Sequence, residues 1–155
     1  ALREPADLRI VLSSIQVASI EHGWEHWGNL PAERARLLAM LRESGAAGLI
    51  VVSGDRHSAE ISRIPAGDAA LTYPLYDLTA SSFNQPGGTR LHDEPNRHRL
   101  GERFHAANFG TIEIDWEAAA EGGPPAVTLT IRDVEGKVVR SEEIPAGELE
   151  PARVP

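Results

Sequence analysis

Between Leu8 and His57 the chain runs through an apolar strand pattern, a helical stripe, a second apolar run and an abrupt polar loop. Leu8 to Ile15 (LRIVLSSI) is apolar and β-branched at its start and reads as a buried strand. Gln16 to Leu30 is polar and aromatic, with Gly23 and Gly28 breaking any period, and reads as a loop with at most one helical turn. Pro31 stands where helices accept proline, Leu37, Leu38 and Leu41 form an apolar stripe, and Ser44-Gly45 stops the helix. Gly48 to Val52 is a short continuous apolar run, the kind of strand buried on both faces in α/β proteins. It ends in Ser53-Gly54-Asp55-Arg56-His57. The order is βαβ, and ligands of open α/β sheets bind at such carboxyl strand ends.

Farther along, Leu71 to Thr79 alternates as a strand, with Pro74 demoting it toward an edge or bulge. Residues 80 to 107 read as one long polar connection, and strands are expected at 110–116, 127–133 and 137–144. Val134-Glu135-Gly136 joins the last two as a hairpin, and the Pro- and Glu-rich tail from Pro145 to Pro155 is expected to fray. The fold expected over residues 1–144 is α/β, a βαβ unit followed by antiparallel strands.

Composition narrows the chemistry. At 41% hydrophobic and 25% charged residues, the chain can bury a core. Its longest apolar stretch, Gly48 to Val52, is far too short to cross a bilayer. Fifteen basic against 23 acidic residues give a net charge of -8, which argues against non-specific nucleic-acid binding. There is no cysteine, so thiolate catalysis and zinc-thiolate sites are excluded, while the compartment stays open. Ala1-Leu2-Arg3-Glu4-Pro5 has no apolar signal-peptide core and no initiator Met, and we expect the chain to be part of a longer protein.

The polar loop carries the chemistry. Asp55 and His57, two residues apart after a glycine, can direct a carboxylate oxygen and an imidazole nitrogen at one hard or borderline metal ion. Arg56 between them could offer a fork to phosphate oxygens. Taken alone, an Asp-x-His tripeptide is also what a solvated Asp beside a satisfied His looks like. Its place directly after a buried strand is what favours a site.

Ser14-Ile15-Gln16, His22-Gly23-Trp24-Glu25-His26-Trp27 leading to Pro31-Ala32-Glu33-Arg34, Val52 to His57, Tyr76 to Ser82, and Asn108 to Ile112 follow one another along the chain. In this order the blocks resemble the C-terminal portion of the PhoD-type alkaline phosphatases, of the metallophosphatase superfamily. The resemblance covers roughly residues 8 to 133. It implies a layered α/β/β/α sandwich and a phosphomonoesterase or phosphodiesterase with iron and calcium. It makes Asp55 and His57 metal ligands, gives His57 a catalytic part in orienting the nucleophile, lets Arg56 assist phosphate binding, and implies a secreted or periplasmic enzyme. The family's earlier ligands (carboxylates, an Asn, and in some members a Cys and a Tyr) lie upstream of anything present here. The isolated chain is therefore expected to lack turnover and to need the remainder of a parent chain. The rival from another class is a non-catalytic scaffold or binding domain with the same fold.

Other residues carry weaker signals. His22-Gly23-Trp24-Glu25-His26 matches the H-x-x-E-H zinc-peptidase pattern, but Gly23 and Gly28 argue against the helix that chemistry requires. Trp24 and Trp27 are expected to clamp the following helix, and Glu33 and Arg34 to form an ion pair. Ser81, Ser82 and Asn84 either line the cleft or serve a turn, Pro86-Gly87-Gly88 is no phosphate loop, and Asn108 caps or turns the chain. His92, His98 and His105, with Arg90, Arg97, Arg99 and Arg103, form the one basic cluster of an acidic chain, expected to be solvated more than anion-attracting.

Overall fold

The computed structural model describes residues 2–87, 94–117, 119 and 122–151. The βαβ unit is present: β1 (Arg9–Leu12), helix α1 (Pro31–Ser44) and β2 (Leu49–Ser53), with β1 and β2 parallel. Pro31 opens α1, and Gly45 closes it in the left-handed conformation, its N–H bonded to the Arg42 carbonyl. The expected helical turn before α1 is a 3-10 turn, Trp27–Asn29.

Two strands lie where none was expected, β3 (Ala59–Ile64) and β5 (Arg99–Phe104). β4 (Leu75–Ala80) pairs parallel with β2 and antiparallel with β3, and β3 pairs antiparallel with β5. The five-stranded sheet therefore has the order β1-β2-β4-β3-β5. The connection expected over 80–107 is interrupted by β5. A second sheet follows, an antiparallel meander of β6 (Asn108–Asp115), β7 (Ala126–Asp133) and β8 (Val138–Ile144), with Gly136 at φ 82° in the expected β7–β8 turn.

Side chains sort onto the two faces of the larger sheet through the register. One face carries Leu49, Val51 and Leu75; Leu41 of α1 lines a narrow cleft with Leu49, Tyr73 and Leu75. The other face carries Leu78 and Ala80, and there β6 crosses β4 so closely that a Cβ on Gly110 would sit 3.1 Å from Ala80 Cβ and 3.2 Å from Leu78 Cδ2. Leu129, Ile131 and Ile144 fill the layer between the sheets. The layers are thus α/β/β among the described residues, an α/β fold with the expected βαβ unit and antiparallel strands. None of the described helices is long and apolar enough to cross a membrane.

Three local expectations are corrected. The segment from Pro145 to Glu150 packs where fraying was expected: Leu149 is buried, its carbonyl accepts the Gly48 N–H, and Glu148 Oε1 receives Tyr76 OH at 2.9 Å and Arg63 Nη2 at 3.0 Å. Trp27 packs and donates from Nε1 to Ser13 Oγ, whereas Trp24 is exposed, so one tryptophan forms the contact expected of two. Glu33 faces Arg36 one turn on, and Arg34 instead donates from Nε to the Val17 carbonyl.

Candidate functional site

The carboxyl ends of β1, β2 and β4 meet at one rim. Gly54 passes beside the Ser14 carbonyl and Ser81 Cβ, and the loop from Gly54 to Ser58 runs between β2 and β3 along this rim. Both Asp55 (φ 67°) and His57 (φ 50°) adopt the left-handed conformation. For residues with a Cβ this costs of order 1–3 kcal/mol each and persists only where surroundings impose it. Asp55 is exposed and His57 half-buried.

What imposes the conformation is visible. The Arg56 N–H donates to Ser81 Oγ at 2.9 Å, and Ser81 N–H and Oγ both reach the Ser58 carbonyl at 3.2 Å. Gly87 N–H donates to the His57 carbonyl at 2.6 Å. Arg56 is buried, and its guanidinium bonds Glu94, whose Oε2 also receives Arg103 Nη1 at 2.5 Å. Arg103 Nε donates to Ser58 Oγ at 2.7 Å. Burial pushes the Glu94 carboxyl up, yet the bonds from Arg56 and Arg103 hold it below the usual range. Two inward arginines on one carboxylate thus anchor the loop from beneath, while Asp55 stands outside. Expected also to meet phosphate, Arg56 has its Nη2 committed to Glu94.

Under the rim lies a polar network to which the sequence blocks around Gln16 and Asp77 contribute, joined by Glu60, which no motif marks. Gln16 Nε2 donates to Glu60 Oε1 at 2.7 Å and to Thr79 Oγ1 at 2.9 Å. Glu60 also receives Asn96 Nδ2 at 3.1 Å and Arg99 Nε at 2.5 Å. Asp77 takes the N–H groups of Val17 and Ala18 on Oδ2, at 2.9 and 3.0 Å, and Ser53 Oγ on Oδ1 at 2.6 Å. Burial foremost raises the Asp77 carboxyl; these donors oppose the shift and the Glu60 charge adds to it. Asp77, Thr79, Glu60 and Ser62 share the α1-side face of the sheet through the β3–β4 register. The network ties the loop after β1 to the strands that present Asp55.

His22 and His26 belong to the same layer and not to a helix; their rings stand edge to face, centroids 4.5 Å apart. Gln16 spends its amide donors on Glu60 and Thr79, so His22 Nε2–H donates to Gln16 Oε1 at 2.9 Å and Nδ1 accepts from Trp24 N–H at 3.2 Å. Both nitrogens are used in the neutral ring. Burial, then the charges of Arg56 and His26, lower the His22 pKa to about 4. His26 Nε2–H donates to the His22 carbonyl at 3.0 Å. Glu25, the base of the peptidase pattern, is exposed.

The remaining expectations resolve by placement. The basic cluster is largely neutralised rather than solvated: Arg97 pairs with Glu21, Arg99 with Glu60 and Arg103 with Glu94. His98 is buried 3.7 Å from Asp68. Arg90 and His92 lie outside the described residues. Ser81 serves the loop turn, Ser82 is buried, Asn84 is exposed, and Asn108 donates from Nδ2 to the Ala106 carbonyl at 2.8 Å as β6 begins. Among the described residues no group of three or more His, Asp or Glu side chains converges as a metal site. Asp55 and His57 are the right donor types for a hard or borderline cation, but two donors do not complete a centre.

A mixed α/β sheet with a polar rim at its carboxyl strand ends, backed by an antiparallel sheet, defines the class of fold. A solved structure of PhoD shares it, with a TM-score of 0.52 and 17% identity over 94% of this chain. The chain spans 34% of the length of that protein. No family model matches the chain, and no curated protein matches it either.

Proposed function

We propose that this chain supplies the Asp55/His57 loop to the metal centre of a phosphoesterase of PhoD type. The observation that carries the reading is the pair of left-handed, non-glycine residues at the carboxyl end of β2, held in that conformation by the loop's own bonds and by Arg56 on Glu94. Strain of this kind concentrates at functional sites. The fold likeness to PhoD and the resemblance of the ordered motifs support the same assignment.

In this reading Asp55 and His57 are metal ligands, His57 also orienting the nucleophile, and the further carboxylates come from polypeptide outside the described residues. Bound iron and calcium ions would acidify a coordinated water and offset charge on the phosphoryl oxygens. Arg56 acts as a positioning residue, its side chain holding the loop while Asp55 faces outward. The substrate class is a phosphate mono- or diester, and the enzyme is secreted or periplasmic.

The test is hydrolysis of p-nitrophenyl phosphate and bis-p-nitrophenyl phosphate by this chain, by the longer protein that we propose contains it, and by Asp55→Ala of the latter. Changes outside a metal's ligand shell commonly cost 10–100-fold, so loss of a ligand should lower kcat/KM by at least ~100-fold. Full activity in Asp55→Ala would refute the ligand role. Absence of phosphoesterase activity from the longer protein would favour the rival reading, a scaffold with no metal pair.

A further inference from the structure

One stripe of α1 lines a cavity that the Gly54–Ser58 loop does not share. Pro31, Arg34, Ala35, Leu38, Ala39 and Arg42 follow at spacings of three and four, and so stand in a row along the helix. With Ile20 and Gly28 from the segment before α1 and Ala69 from the Asp68–Ala70 turn, they enclose about 360 Å3. Small-molecule sites occupy roughly 300–1,000 Å3. The lining is mostly apolar, and Gly28, Ala35, Ala39 and Ala69 leave open a gap that larger side chains would fill. The turn opposite the helix is strained: Ala69 (φ 49°) and Ala70 (φ 58°) are both left-handed. Such backbone is costly for a residue with a Cβ and gathers at ligand clamps and active sites.

The polar groups of this cavity are cationic. Arg34 and Arg42 stand eight residues apart, about 12 Å along the helix axis, with Leu38 between them. Arg34 is half-buried and donates from Nε to the Val17 carbonyl at 3.0 Å. Its two Nη nitrogens hold no hydrogen bond and no carboxylate among the described residues. Asp68, the acid whose charge reaches it, is engaged elsewhere: Oδ1 accepts the Ala69 N–H at 2.8 Å, and Oδ2 lies 3.7 Å from His98 Nε2. Burial foremost lowers the Arg34 pKa; the Asp68 charge opposes that shift and the Arg97 charge adds to it. Arg34 is therefore a partly desolvated cation with unused donors, in the planar fork that matches a carboxylate. Arg42 is already bonded at 2.8 Å to the exposed Glu43, which makes Arg34 the stronger anchor.

We infer that this cavity binds a small organic carboxylate with a short apolar body, the carboxylate on the Arg34 guanidinium and the body against Ile20, Ala35 and Leu38. An inorganic anion would leave the apolar wall unfilled, and a neutral molecule would leave the Arg34 charge unmatched. The inference stands on the cavity and its charge, and is independent of the metal-ligand reading.

The test is an NMR titration of the 15N-labelled chain with four probes: hexanoate, hexan-1-ol, acetate and inorganic phosphate. Hexanoate should saturate below about 10 mM, with amide shifts centred on Arg34, Ala35, Ala39 and Ala69, and the other three should bind at least ~10-fold more weakly. Charge-assisted bonds carry that difference, so Arg34→Gln should weaken hexanoate by about tenfold or more and leave hexan-1-ol unchanged. Ala35→Leu, at an exposed helical position that tolerates leucine, fills the cavity and should weaken hexanoate as much with the melting temperature kept. That second variant decides the matter if loss of the Arg34–Val17 bond disturbs the segment before α1. Equal affinity for hexan-1-ol would make the cavity an apolar cleft, and equal affinity for acetate or phosphate would make it a bare charge; either overturns the inference. So would hexanoate binding that survives Ala35→Leu, or no saturation at all.

Discussion

Asp55 and His57 hold backbone conformations that glycine would hold more cheaply, so replacing either by glycine separates fold from function. Left-handed geometry costs a residue with a Cβ about 1–2 kcal/mol. Asp55→Gly should therefore raise unfolding stability by about 1 kcal/mol in urea titration while removing the proposed ligand; a destabilised variant would contradict the strain argument. His22 gives a pH signature. Its folded pKa, about 4, lies below the ordinary 6.5, so its contribution is complete above pH 6.5 and is lost as pH falls toward 4. Asp77 has the opposite sign, its raised carboxyl favouring the fold most below the ordinary carboxylate value. Because Asp77 is common to both proteins, the difference between parent and His22→Gln isolates the histidine. The variant should lose less stability between pH 6.5 and 4, and an unchanged slope would show that His22 does not set the pH dependence. The loop that carries Asp55 and His57 was legible as a loop because its signal is local, a polar run directly after a buried strand. The inward placement of Gln16, Glu60 and Asp77 was not, because their partners lie 44, 60 and 63 residues away and nothing local marks a polar residue as inward.

At the scale of elements, the loop depends on β5 and the residues before it, through Glu94 and Arg103. Removing Glu94 takes from buried Arg56 and Arg103 the carboxylate they share, and breaking such buried pairs costs about 3–5 kcal/mol. Glu94→Ala should show a loss of that size in urea, with faster amide exchange from Asp55 to Ser58 than in β7; uniform exchange would mean that the loop is anchored elsewhere. The contact between sheets gives a second check. A Cβ on Gly110 would press Ala80 and Leu78, so Gly110→Ala should cost about 1–3 kcal/mol, the range for overpacking. A neutral result would show that the sheets separate freely. The α1 boundaries were legible because Pro31 and Gly45 punctuate them. β3 and β5 were not, because AEISRI and RLGERF place Glu, Ser and Arg where an apolar pattern is sought. Those polar residues are satisfied within the sheet layer: Glu60 by Arg99, and Ser62 by Asn96 at 2.9 Å. Sheet pairing supplied what local pattern lacked.

For the whole molecule, a net charge of -8 sets a long-range field that repels anionic esters. Within the described residues the arginines near the candidate loop are engaged by glutamates, Arg97 by Glu21, Arg99 by Glu60, and Arg56 and Arg103 together by Glu94. A phosphoester site on this scaffold therefore depends on bound cations to dominate the local field. That dependence, and the proposal that Asp55 and His57 are two donors of a larger set, make metal retention the decisive quantity. The measurement is metal stoichiometry by mass spectrometry on the dialysed longer protein, on this chain alone, and on Asp55→Ala and His57→Ala of the longer protein. Two or more ions are expected in the longer protein, with loss of at least one in each variant and none held tightly by this chain alone. Undiminished metal content in both variants would show that the loop is scaffold and not ligand.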